Sequence, residues 1–137
     1  MDIFSSLTNI GWNYTKLFDH IEEYIEKDSI EDLETGIDLL KTLVEEKEEI
    51  CEELIIYKMD FFVRLLLHQE FFIREAILEI FAYLTDKSDP AKKACLNNFR
   101  FMNRIFAILS HSTGNSEKQA QLAGYILNNL SRTRENL

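Results

Sequence analysis

Apolar residues along the chain recur at alternating three- and four-residue intervals, the period of a helix that buries one side. Ile3, Leu7, Ile10, Tyr14, Leu17, Ile21 and Tyr24 form the first such series, with Gly11 as a break inside it, and predict one or two amphipathic helices. Ser29 then stands as an N-cap with Asp32 three positions on, a variant of the capping box. The helix it starts carries Leu33, Ile37, Leu40, Leu43 and Val44 on one side. After the run EEKEE, which suits a solvated turn or helix surface, Ile50, Leu54 and Ile55 predict a short helix and Met59 to Leu67 another. Phe72 through Leu84 predict a longer one, with Ile73, Ile77, Ile80, Phe81 and Leu84 facing inward.

Ser88-Asp89-Pro90 is the clearest punctuation, a capping side chain immediately before a proline at the first helical position, where a missing N–H costs nothing. A short helix through Ala94 and Leu96 and a second across Phe101 to Leu109 follow. The loop Ser112-Thr113-Gly114-Asn115-Ser116 leads to a last helix from about Glu117 to Leu130, whose apolar face is Leu122, Ala123, Ile126, Leu127 and Leu130. One proline and four glycines in 137 residues leave too few turn residues for a β-rich fold. The chain reads as all-α.

Three segments can be set under one another: LLKTLVEEKEEICEEL, IFAYLTDKSDPAKKACL and ILNNLSRTRENL. Leu43, Leu84 and Leu130 then superpose, at separations of 41 and 46 residues, the period of two- or three-helix repeats. No such unit can bury its apolar face alone, so neighbours must stack.

From about Ile30 onward the sequence resembles armadillo repeats, most closely in QLAGYILNNLSRTREN, which looks like the third helix of that family's repeat; the HEAT class is the near alternative. The resemblance implies an armadillo-like right-handed superhelix of about three short repeats over residues 29–137, with residues 1–28 as an N-terminal capping helix or helices, all in one compact domain. It also implies that the third helices line a concave groove. Carried over by position, the groove residues are Glu34, Asp38 and Thr42; Glu75, Glu79 and Tyr83; and Gln121, Tyr125 and Asn129. Members four apart share one helix face. The expected function is a protein-interaction module or scaffold that grips a partner segment in this groove. Two alternatives stand beside it. One is a structural subunit that self-associates through array ends or exposed aromatics, as a homodimer. The other is a heat-shock chaperone regulator, from a layout similar to armadillo-type exchange factors around Asp32-Leu33-Glu34-Thr35. The Trp and Asn ladder of importin-α-type adaptors is absent: Tyr125 and Asn129 hold its place in the last repeat, but Glu79 with Tyr83 and Asp38 with Thr42 precede them.

Charge sharpens the choice of partner. Residues 1–60 carry 17 acidic and 5 basic side chains, residues 61–137 carry 7 and 10, and the whole has a net charge of −9. Such a surface disfavours nucleic acid and favours a basic protein or peptide. No apolar run approaches the roughly 18 residues of a membrane span, and the N-terminus lacks the basic flank of a secretory signal, so a cytoplasmic or nuclear protein is expected. Cys51 and Cys95 read as buried free thiols. His20, His68 and His111 lie far apart without metal-ligand spacing, and no HExxH, CxxC, GxSxG or phosphate-binding glycine loop occurs. Neither enzyme activity nor a cofactor is expected. In the near-adjacent pairs Phe61-Phe62, Phe71-Phe72 and Phe99 with Phe101, each helical residue turns the direction by about 100°, so the two rings of a pair point apart and one of each is expected to be incompletely buried.

Overall fold

In the computed structural model the described residues are 15–27, 29–46, 55–110 and 117–132. Among them there is no strand, and seven helices of eight or more residues account for most of the chain. They fall into two compact units, one holding the first two helices and one running from Ile55 onward. The second helix, which the repeat reading places in the array, therefore groups with the N-terminal helix.

The first unit is a hairpin of α1 (Thr15–Glu26) and α2 (Ile30–Glu46). On α2, Leu33, Ile37, Leu40 and Val44 are all buried, the expected stripe at four- and three-residue steps; the side chain of Leu43 lies outside the described residues. At the start of α2 the Ser29 hydroxyl donates to the Asp32 carboxylate at 2.8 Å. Gly36 sets how closely the two helices approach: a Cβ there would sit 3.0 Å from Ile21 Cγ1 and 3.5 Å from the Tyr24 ring.

The second unit comprises α3 (Met59–Leu66), α4 (Phe71–Lys87), α5 (Asp89–Leu96), α6 (Phe99–Leu109) and α7 (Glu117–Ser131). Its core is an aromatic spine across three helices. Phe62 of α3 meets Phe81 of α4 edge-on, with centroids 5.5 Å apart, and Phe81 meets Phe101 of α6 at 4.8 Å. All three rings are buried, each contributing on the order of 2–3 kcal/mol by removal from water. Phe61 is buried beside Phe62, centroids 5.3 Å apart. The expectation that one of these two would be exposed is thus corrected: α3 is apolar on most of its circumference, with six of its eight residues buried. The other pairs behave as expected, Phe71 and Phe99 being exposed while Phe101 is buried.

Helix ends are closed by local chemistry. The Ser88 hydroxyl accepts from Ala91 N at 3.0 Å, so Ser88 is the cap, Asp89 is the first residue of α5 and Pro90 takes the second helical position instead of the expected first. The Asn98 amide oxygen accepts from Phe101 N at 2.9 Å and starts α6. At the end of α3 and in the link to α4, backbone carbonyls left over by the helix and the turn are taken by arginines. Arg104 Nε donates to Leu66 O at 2.9 Å, and Arg74 Nη1 donates to His68 O and Gln69 O at 2.8 and 3.0 Å.

Contacts between helices fix their direction. Gln119 of α7 reaches Phe71 O near the start of α4, and Asn129 reaches Ala82 O near its end, so α4 and α7 run parallel. Asn98 reaches Asp60 at the start of α3, and Arg104 reaches Leu66 at its end, so α3 and α6 also run parallel. The α3/α4 pair is therefore followed by an α6/α7 pair in the same sense, with α5 packed against α4, α6 and α7. The 46-residue separation of Leu84 and Leu130, both buried, falls within the register of 43 to 48 residues at which α4 and α7 join.

Candidate protein-binding surfaces

Of the nine groove residues expected from sequence, three lie on α2 in the first unit. Glu34, Asp38 and Thr42 are exposed there, and the Thr42 hydroxyl donates to Asp38 O of its own helix at 3.1 Å. That bond leaves the two carboxylates as the chemical content of the stripe.

The other six lie on α4 and α7, which the parallel packing sets side by side. Glu75, Glu79 and Tyr83 are half-buried on α4; Gln121 and Tyr125 are exposed on α7, Tyr125 to 46%. Asn129 is different, with no exposed surface. Its amide donates to Thr85 Oγ1 at 3.1 Å and to Ala82 O at 3.3 Å, and its oxygen accepts from Arg132. It is a fastening between helices and not a residue presented to a partner. Nor is this face the acidic one expected. Lys118 lies 3.4 Å from Glu75, Lys87 Nζ sits 5.3 Å from the Tyr83 ring centre, and Arg132 is 3.9 Å from Asp86. Lys118 offsets Glu75, and with Lys87 and Arg132 nearby the face is amphipathic, of mixed charge, with two tyrosines.

A groove elsewhere in the second unit was not anticipated from sequence. Between the parallel helices α3 and α6 lies a groove of about 320 Å³, lined by Val63 and Leu67 on one side and by Arg100, Asn103, Arg104 and Ala107 on the other. The α6 residues stand at positions i, i+3, i+4 and i+7, a single helix stripe. That spacing was visible in the sequence, but nothing there supplied the opposing wall. Burial, and after it the neighbouring Arg74 guanidinium, draws the Arg104 pKa below the usual arginine value. No carboxylate lines the groove.

Comparison with protein-family models, with curated proteins and with solved structures finds no match for this chain. Its surface chemistry therefore carries the functional argument. Cys95 is buried, and burial pushes its thiol well above its ordinary value, so it is a protonated packing group. His68 Nδ1 accepts from Glu70 N at 3.0 Å and shapes the α3/α4 link. Among the described residues, no three His, Cys, Asp or Glu side chains gather where they could hold a metal ion, and no helix is long and apolar enough to cross a membrane.

Proposed function

We propose that this protein is an interaction module: an armadillo-like stack of helix pairs that receives an extended segment of a partner protein along the α4/α7 face. The observation that carries this reading is the parallel alignment of two helices bearing matched surface stripes, Glu79 with Tyr83 and Gln121 with Tyr125, in a register held by Asn129. Parallel neighbours present their side chains at a constant offset, and an extended chain laid across them meets a similar set of groups at each helix. Tyr125 offers a rigid amphipathic ring with little side-chain entropy to lose, and Gln121 an amide that can bond a peptide backbone, while Glu79 adds negative charge to the same face. The exposed Glu34 and Asp38 of the first unit offer a further place for basic side chains.

The test is binding of a peptide array to the full chain, followed by titration of the tightest peptide against variants. Tyr125→Ala and Glu79→Lys are each expected to weaken binding about tenfold, which is roughly 1.4 kcal/mol. Unchanged affinity in both removes the α4/α7 face as the site.

A second reading, self-association, is favoured by one observation. Phe99 and Phe106 stand two turns apart on the outer side of α6, 77% and 51% exposed. Sedimentation velocity at high concentration decides it: a dimer that Phe99→Ser with Phe106→Ser dissolves supports the reading, and a strict monomer ends it.

A further inference from the structure

We propose that the α3/α6 groove is a separate docking site for an acidic, partly apolar polypeptide segment of another protein.

Two of the groove's six lining residues are arginines and none is acidic. Arg100 makes no hydrogen bond or ion pair with any described residue, and Arg104 makes one, through Nε to Leu66 O. That bond fixes the plane of the Arg104 guanidinium at the C-terminal end of α3, where the helix dipole also favours a cation. Its two Nη groups are left for a partner, in the fork geometry that matches a carboxylate. Arg74, bound to the carbonyls of the α3/α4 link, is close enough to raise the local positive potential. In a chain whose net charge is −9 this groove is thus lined by two cations and no carboxylate, and Asp60, at the start of α3, accepts from the Asn98 amide.

The apolar half of the lining selects the class of ligand. Val63 of α3 and Leu67, the C-cap of that helix, stand one turn apart; Val63 is buried beneath the groove, Leu67 is 60% exposed, and Ala107 lines it from α6. At about 320 Å³ the groove lies at the small end of ligand-binding clefts, which suits one large apolar side chain and its flanking backbone. A segment that places a Leu-, Ile- or Phe-like side chain against Val63, Leu67 and Ala107, with a carboxylate one turn or two residues away, satisfies both halves of the site. A nucleic acid satisfies only the arginines, against the repulsion of the rest of the chain.

The experiment selects peptides from a random 12-residue phage-displayed library on the full chain and measures the selected peptide, fluorescein-labelled, by anisotropy. Expected are sequences enriched in Asp or Glu next to large apolar residues, binding that weakens as salt is raised, and a tenfold or greater loss in Arg100→Glu and in Ala107→Trp. Arg100 is exposed, so its variant keeps the fold even where Ala107→Trp does not. Tyr125→Ala should leave this binding unchanged, which separates the groove from the α4/α7 face: loss of one leaves the other standing. The proposal is overturned by selected peptides without acidic residues, by affinity that Arg100→Glu leaves intact, by tighter binding of a 20-nucleotide oligothymidylate than of the peptide, or by a dimer of the chain itself that Arg100→Glu dissolves.

Discussion

Asn129 donates its side-chain amide to the hydroxyl of Thr85 at 3.1 Å, across the interface of two parallel helices and with no access to solvent. Thr85 in turn donates to Phe81 O at 2.6 Å, one turn back along α4, so the pair hangs the register of α7 on the backbone of its neighbour. A buried amide satisfied in this way specifies one alignment, because sliding either helix by a turn would strand it.

Replacing this amide should cost about 1–3 kcal/mol, the range for removing one partner from a buried hydrogen-bonded group. Asn129→Ala and Thr85→Val, singly and together, would be measured by urea unfolding. The double variant is expected to lose less than the two single losses combined, by roughly 0.5–1.5 kcal/mol, because both remove one bond. Strict additivity would show that the two side chains do not act together.

Gly36 and Gly124, the helical glycines among the described residues, should respond in opposite ways. A Cβ at Gly124 of α7 would meet Leu109 Cδ1 at 3.5 Å, an ordinary contact, so Gly124→Ala should stabilise by about 0.5–1 kcal/mol through reduced chain entropy. At Gly36 the nearest atom is only 3.0 Å away, and Gly36→Val is expected to destabilise the α1/α2 unit by about 1–3 kcal/mol. Thermal melts of both variants check this; a Gly36→Val protein as stable as the parent would mean that the helices part freely.

Cys95 should resist alkylation in the folded protein and react only through unfolding. Iodoacetamide labelling at pH 8, read by mass spectrometry of the peptide containing Cys95, is expected to give a rate that rises with urea in step with the unfolded fraction. The same burial sets a pH dependence. The folded thiol holds its proton above the pH at which the unfolded thiol, with a pKa of about 8.5, has lost it. Its contribution is therefore complete below about pH 8.5 and declines as pH rises beyond that value. Cys95→Ala should flatten that alkaline decline; an unchanged slope would place its origin elsewhere.

The cap of α5 offers a smaller, cleaner measurement. Ser88→Ala removes the acceptor for Ala91 N and should cost about 1 kcal/mol, while Ser88→Asp, which keeps an acceptor oxygen, should stay within a few tenths of the parent. Equal losses in the two variants would show that burial of the Ser88 side chain, and not capping, sets its contribution.

The sequence by itself determined the helices, because amphipathic period and capping chemistry are local. The stripe from Leu33 to Val44, the inward residues Ile73, Ile77, Ile80, Phe81 and Leu84, the Ser88 cap and the buried Cys95 all follow from it. The 46 residues between Leu84 and Leu130 can be counted in the sequence, but that α4 and α7 pack in parallel at a register containing that step is a fact of tertiary structure. What each helix edge faces was decided only by tertiary structure. Helix geometry places Asn129 one turn from the exposed Tyr125, and only the neighbouring α4, with Thr85 and Ala82 at the right height, turns it from a presented side chain into a buried fastening. Likewise Arg100 and Arg104 are an ordinary polar stripe on α6 until α3 supplies Val63 and Leu67 as a second wall. A one-dimensional pattern fixes which side of a helix avoids water; the identity of the neighbour, and so the chemistry of every edge between two helices, exists only once the chain has packed.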